Sequence, residues 1–417
     1  MTAACLAEIG HEVTCADINP ERIEAIRQGR APVREPGLPE LISAVVSSGR
    51  LRATTDVVGA VASSRLTMVA VGTPLNGETM ELSALARACE QIGLGLRERT
   101  GYHVVAVRST VLPGTTEGLV RERVLRASGR GEDGIGWCMN PEFLREGSAL
   151  EDARHPDRIV IGQSDERAGQ VLAEIYEPFA CPVIRTTLRN AELIKCASNA
   201  LLATLISFSN ELAGLCETLP DTDVEVILRA LHLDRRWSPV FEGRRITPEI
   251  LAYLRSGCGF GGSCLPKDLQ ALRTYVSQQG LTPHLLDAVL TVNRERPRRI
   301  VGLLERVLRP IEGTTVAVFG LAFKPGTDDV RDSPALAVIE ELLRVGAVVR
   351  AYDPVAVPAA RAGLEARAQL CDTAQEACTD ADAVVITTAW PDFQRLDWTD
   401  LARRMRRAIL LDGRHAL

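Results

Sequence analysis

The sequence predicts an α/β protein with a doubly wound sheet at each end of the chain, joined by a long central helix and a helical middle. Three observations carry that expectation. Strands and helices alternate up to about residue 186 and again from about residue 314. Between them, residues 190–219 run without proline or strand-like alternation and are amphipathic throughout. After that stretch comes GFGGSCLPKD (259–268), a glycine run ending in a thiol, an ammonium and a carboxylate.

At 417 residues the chain exceeds a single core, and three domains are expected: 1–186, 187–298 and 299–417. The composition is that of a globular protein, with 46% hydrophobic and 24% charged residues. A formal charge of −6 lacks the basic footprint of a nucleic-acid binder, so no nucleic-acid partner is expected. The apolar runs are read as too interrupted for a membrane span, and Met1 to Val13 has no basic start and carries Glu8, His11 and Glu12, unlike a signal peptide. The 11 cysteines form no C-x-x-C pair and no zinc spacing, so they read as reduced thiols of a cytoplasmic protein with no metal site.

Taken in order, TAACLAEIG has helical apolar spacing and stops at Gly10; EVTCAD is then a short strand ending in Asp17. Asn19 and Pro20 are a cap and first position for the next helix. Helix, strand and terminal acid form the second half of a dinucleotide-binding βαβ unit, in which the acid holds ribose hydroxyls. A turn residue or cap is the plainer reading of Asp17 alone. The first strand and G-x-G-x-x-G turn of such a unit are expected just ahead of Thr2, so either the natural chain starts upstream or the N-terminal unit lacks them. Strands at 67–74 and 103–110, with helices from Leu82 and Gly114, continue a parallel, Rossmann-like sheet. Gly72, Thr73, Pro74, Ser109 and Thr110 fall at carboxyl ends of strands, where such sheets bind ligands. NPEFLREG (140–147) places Glu142 and Glu146 four apart, read as one helical turn.

The central stretch reads as one helix with Lys195 and Asn199 on one face, and the apolar neighbours of Lys195 predict burial. A spine of this kind commonly pairs with a twin, so a homodimer through the all-helical middle is expected. In GFGGSCLPKD, Pro266 suits the first turn of a helix and leaves Cys264 at its N-terminus, where unpaired amides favour the thiolate. Lys267 and Asp268 follow, the arrangement of a prepared nucleophile. The competing reading is a glycine turn before an ordinary helix with a packed cysteine. TTVAVFGLAF, VVRAYDP, ADAVVITTAW and RAILLDGR supply a second parallel sheet, with Lys324, Arg331 and Arg414 at strand exits facing an expected phosphate.

The chain carrying these motifs resembles the UDP-glucose/GDP-mannose dehydrogenase family over essentially its whole length. VGTP, VRSTVLPGT, NPEFLREG, NAELIKCASNALLAT, GFGGSCLPKD and GLAFKPGTDDVRDSP occur in the family's order. The resemblance implies oxidation of a sugar CH2OH to a carboxylate with NAD and no metal. It makes Cys264 the nucleophile, Lys195 and Asn199 the oxyanion-stabilising pair, and Asp268 a carboxylate paired with that lysine and a water. Glu142 becomes the acid/base of thioester hydrolysis, with Thr110 positioning the water. Asp17, Arg22, Thr73, Ser109, Thr110, Glu146, Lys267 and Arg331 become contacts to NAD. Contacts to the nucleotide sugar fall to Glu142, Phe143, Leu144, Arg145, Lys195, Asn199, Gly257, Phe260, Gly261, Lys324 and Arg414, with Arg245 reaching across the dimer. UDP-glucose is the expected substrate, with GDP-mannose and TDP-glucose as alternatives. A two-electron hydroxyacid dehydrogenase would not need Cys264, whereas a non-catalytic nucleotide-sugar binder is the reading that the missing glycine turn allows. Cys258 departs from the family's usual small residue or proline and is read as packing.

Overall fold

The structure, a computed structural model, describes residues 1–417 and divides into two compact units, Met1–Ser198 and Asn199–Leu417. In the first, the helix Thr2–Glu8 buries Ala4, Cys5, Leu6 and Ala7. It ends before Gly10, whose φ of 110° suits glycine. β1 (Val13–Ala16) leads into Asp17, and Asn19 caps the helix Pro20–Arg27 by accepting from the Glu21 and Arg22 amides. β2 (Leu51–Thr54) pairs in parallel with β1 as a separate two-stranded sheet.

The larger sheet comprises β3 (Leu66–Val69), β6 (His103–Val107), β7 (Ile135–Met139), β8 (Ile159–Gln163) and β9 (Val183–Thr186), in that order. A small hairpin, β4 (Leu75–Asn76) and β5 (Thr79–Met80), follows β3. Every residue of β6 and β7 is buried, as befits central strands covered on both faces. The sheet is mixed rather than parallel, because β8 runs antiparallel to β7. Their connection carries only the six-residue helix Ala149–Arg154, and antiparallel neighbours need no long crossover. Asn140, buried where β7 ends, fastens the pair by donating from Nδ2 to the Val160 carbonyl at 2.9 Å.

NPEFLREG is also not the helical turn expected of it. Residues 141–145 are irregular, 146–147 turn, and the helix begins only at Ala149. Glu35 accepts from the Gly147, Ala149 and Leu150 amides at 2.9, 2.6 and 3.3 Å, and Gly147 holds a φ of 83°. Those bonds cap the later helix and keep 142–147 outside it.

The expected spine is a single 29-residue helix, Leu188–Cys216. Contrary to the expectation that no apolar run reaches membrane length, it is long and apolar enough to cross a membrane by length and composition, with mean hydropathy 1.3 over its most apolar 18 residues. It carries Glu192, Lys195 and Asn210, all buried and polar, the marks of a core helix. The middle of the chain adds the helices Val224–His232, Ile250–Tyr253, Leu265–Gln278 and His284–Val307, the last passing through Pro297 and beyond residue 298. It is not wholly helical: β10 (Val240–Phe241) and β11 (Arg244–Arg245) form a hairpin. Glu242 and Gly243, with φ of 47° and 76°, make the two-residue turn of left-handed conformation that matches strand twist.

The last segment is a five-stranded, wholly parallel sheet in the order β14-β13-β12-β15-β16. Its strands are β12 (Thr315–Phe319), β13 (Val348–Tyr352), β14 (Gln369–Leu370), β15 (Ala383–Ile386) and β16 (Leu410–Asp412). Phe319 and Phe393 are fully buried in its core, their ring centroids 5.4 Å apart. The strand order reverses at β12, so the loop leaving β12 lies at the switch point where open α/β sheets bind ligands.

Candidate active site

The sequence-predicted residues fall into groups within each unit. In the second unit, Cys264 immediately precedes the helix Leu265–Gln278, with Pro266 in its first turn. Of the 11 free cysteines it alone is exposed. Its Sγ lies 3.6 Å from Ser263 Oγ, and its carbonyl accepts from the Asp268 amide at 2.9 Å. Among the buried cysteines, burial pushes the Cys89, Cys138 and Cys378 thiols up to about 12.

Asp268 is 1% exposed and takes two charge-assisted bonds, from Lys267 Nζ at 2.5 Å and from Asn199 Nδ2 at 2.6 Å. The resemblance assigned Lys267 to the cofactor; here its ammonium pairs with Asp268. The glycines before the thiol have steric reasons. A Cβ on Gly261 would overlap the Asp332 carbonyl, and one on Gly262 (φ 83°) would meet the Phe323 ring at 2.7 Å.

In the first unit, Lys195 is 4% exposed, as its neighbours predicted. Its Nζ donates to Glu142 Oε1 at 3.1 Å and stands 5.6 Å from the centre of the Phe143 ring. The other Glu142 oxygen accepts from the Leu144 amide at 2.6 Å, so the carboxylate is held from two sides. Arg145 pairs with Asp152 at 2.6 Å, and Glu146 lies in the turn before Gly147. Thr73 Oγ1 donates to the Thr110 carbonyl and Ser109 Oγ to the Val71 carbonyl, each at 2.7 Å. These bonds lock together the exits of β3 and β6.

Sequence reasoning missed the two carboxylates that shape these loops. Glu192 is fully buried and accepts from the Gly114 and Thr116 amides at 2.6 and 2.8 Å. It thereby holds the loop that follows Thr110. Burial pushes its carboxyl above the usual range, while the amide bonds pull the other way. A glutamate three residues before Lys195, on the buried face of the same helix, was the available signal. Glu35, which holds the loop around Glu146, sits in an irregular segment where no periodicity points to it.

In the second unit, Lys324 and Arg331 leave with the loop after β12, and Arg414 follows β16. Arg331 pairs with Asp329 at 2.6 Å, and Lys324 Nζ is 5.6 Å from the Phe323 ring centre. Arg414 Nε donates to the Thr387 carbonyl at 2.9 Å, and burial pulls its guanidinium below the ordinary value. A desolvated guanidinium favours an anionic partner. Arg245, on β11, donates to the Leu233 and Ser238 carbonyls at 2.7 and 2.9 Å.

The residues of the first unit fit NAD. Asp17, at the carboxyl end of β1, has Arg22 3.5 Å away and accepts from the Asn19 amide at 2.9 Å. That leaves an acidic edge suited to ribose hydroxyls, and Thr73 and Ser109 stand just beyond the carboxyl ends of β3 and β6. An acid-tipped dinucleotide unit, a second sheet with cations at its exits and a presented thiol define an NAD-dependent dehydrogenase of nucleotide sugars. Three family models match in succession: the NAD binding domain over residues 1–180, the central domain over 189–295 and the UDP binding domain over 317–417. The chain belongs to the UDP-glucose/GDP-mannose dehydrogenase family.

Among relatives, the chain is 39% identical to UDP-glucose 6-dehydrogenase TuaD of Bacillus subtilis, covering 100% of this chain and 86% of that protein. It is 40% identical to UDP-glucose 6-dehydrogenase AglM of Haloferax volcanii, covering 99% and 93%. Its fold is similar to a UDP-glucose dehydrogenase from the hyperthermophilic archaeon Pyrobaculum islandicum, with TM-score 0.90 and 40% identity over 99% of this chain and 91% of that one.

Proposed function

We propose that the protein oxidises UDP-glucose to UDP-glucuronate at C6, with Cys264 as the covalent nucleophile. The observation that carries this reading is the exposed Cys264 before a helix, four residues ahead of the buried, doubly hydrogen-bonded Asp268. NAD, when bound, accepts a hydride from the sugar carbon in each of two steps. Removal of the first hydride and a proton turns CH2OH into an aldehyde. The Cys264 thiolate adds to its carbon, and with one proton taken up this gives a thiohemiacetal. Loss of the second hydride and a proton leaves a thioester, and water cleaves the C–S bond to give the carboxylate and restore the thiolate, releasing two protons. The sum is one alcohol, two NAD and one water giving one carboxylate, two NADH and three protons.

The oxyanion at C6 would be stabilised by the Lys195 ammonium and the Asn199 amide, donors that bear on charge developing in the transition state. Glu142 would act as acid and base at the hydrolytic step, with Thr110 positioning the water. Asp268, held by Lys267 and Asn199, places a fixed carboxylate in the first turn of the helix that Cys264 precedes. Asp17, Arg22, Thr73, Ser109, Glu146 and Arg331 would hold NAD. Lys324 and Arg414 would meet the diphosphate, with Phe143, Leu144, Arg145, Gly257, Phe260 and Gly261 lining the sugar nucleotide.

A homodimer would cover the stripe formed by Leu201, Phe208 and Leu215, exposed by 62%, 54% and 53% at seven-residue spacing on the long helix. Such a dimer would carry Arg245 to the partner's site. The free cysteines favour a reducing, cytoplasmic setting. The test is NADH yield on a panel of UDP-glucose, GDP-mannose, TDP-glucose and UDP-N-acetylmannosamine. UDP-glucose should turn over fastest and give two NADH per sugar consumed. One NADH per sugar would remove the thioester scheme, and faster turnover of another sugar would reassign the substrate.

A further inference from the structure

The segment Gly257–Phe260, just ahead of Cys264, is irregular in conformation and yet buried along its length. Buried irregular backbone must find hydrogen-bond partners outside a helix or sheet. Here side chains supply them at both ends. Asn210 Oδ1 accepts from the Gly257 amide at 2.8 Å, and Arg296 Nε donates to the Gly257 carbonyl at 2.9 Å. Asn293 does both jobs for Phe260, accepting from its amide at 2.8 Å and donating to its carbonyl at 3.0 Å. Between these clamps, Gly259 takes a φ of 98°, and a Cβ there would stand 2.6 Å from Asn293 Oδ1.

The clamp is itself held. Arg296, 2% exposed, pairs with Glu217 at 3.1 Å, which balances its charge in the interior. Asn293 and Arg296 lie three apart on the helix His284–Val307 and so share one face, while Asn210 lies on Leu188–Cys216 and Glu217 directly follows that helix. In the middle of the segment, Cys258 Sγ donates to the Gly413 carbonyl at 3.3 Å. Gly413 directly precedes Arg414, so the thiol read as packing ties this segment to the cation after β16.

We propose that Asn293, Arg296 and Asn210 are positioning residues that pre-set the Gly257–Phe260 backbone in the form that receives the nucleotide sugar. The segment is thereby ordered before binding, and the ligand does not meet that entropic cost. This inference rests on the nucleotide-sugar reading of the site.

The experiment uses the full chain and UDP-glucose as probe, with binding followed by isothermal titration and turnover by NADH release. Arg296→Lys keeps a charge opposite Glu217 and removes the planar Nε donor to Gly257. Asn293→Ala leaves both Phe260 groups unpaired. Each should weaken UDP-glucose binding by about ten-fold or more and raise its KM in step. The KM for NAD should stay within about two-fold, a split that general loosening of the fold would not produce. Variants that bind UDP-glucose as tightly as the parent, or in which both KM values rise together, overturn the clamp. If Asn293→Ala fails to fold, Arg296→Lys decides alone. Failure of the unmodified protein to bind UDP-glucose would refute the functional reading and, with it, the clamp, whereas equal binding by parent and variants refutes the clamp only.

Discussion

Replacing Lys195 by methionine keeps most of the side chain's length and removes its charge, which separates a structural lysine from a functional one. The ammonium is 5% exposed at its side chain and lies 3.1 Å from a Glu142 carboxylate that is 27% exposed. At an effective dielectric of about 20, attraction across that distance is about 5 kcal/mol. Taking an ammonium out of water costs several kcal/mol, so the two effects nearly cancel. In Lys195→Met, Glu142 keeps its solvent access and its bond from the Leu144 amide, and is not stranded. The stability change should therefore stay within about 1 kcal/mol in either direction, a melting shift of at most about 4 °C for a domain of this size. Turnover should behave differently: losing one oxyanion donor costs about 100- to 1,000-fold in kcat. Melting by calorimetry and NADH release on UDP-glucose measure the two sides independently. Turnover within about ten-fold of the parent at an unchanged melting temperature would refute the oxyanion role. A melting drop beyond about 8 °C would instead make Lys195 a structural residue.

Three further outcomes follow from the same geometry. Cys264→Ser should abolish acid release without lowering the melting temperature, since the exposed thiol packs against little, and mass spectrometry should reveal any trapped ester; undiminished acid release would exclude the thiol. Asp268→Asn strands the half-buried Lys267 ammonium and should cost about 3 kcal/mol, or about 6–12 °C in melting; a loss under about 2 °C would show that the pair contributes little. His103 is fully buried, with Nδ1 donating to the Ser64 carbonyl and Nε2 bonded to the Thr67 hydroxyl, and burial pulls its pKa from 6.5 to about 4. A base depressed by folding adds stability that is complete above pH 6.5 and is lost as pH falls toward 4, here on the order of 3 kcal/mol. His103→Gln should flatten the stability curve across that window, and an unchanged slope would assign the acid sensitivity elsewhere.

The alternation of strands and helices, the cap at Asn19 and the unbroken helix from Leu188 were legible because each is local. Periodicity, a capping side chain or a proline acts within a few residues of where it is written. The exposed thiol at Cys264 was legible for the same reason, since glycine, cysteine and proline in that order dictate a turn and a helix start. What the periodic pattern could not reveal was direction and partnership. That β8 opposes β7, and that 140–147 stays out of helix, depend on Asn140 meeting Val160 and on Glu35 meeting Gly147 across 20 and 112 residues of chain.

The sequence by itself therefore determined the family, the cofactor class and the residue types available for the chemistry. Only the tertiary structure decided which charges neutralise one another, giving Glu142 to Lys195, Lys267 to Asp268 and Glu217 to Arg296. The physical reason is that a buried charge takes as its partner whatever the packed chain brings within about 3 Å, and that proximity is a property of the whole fold.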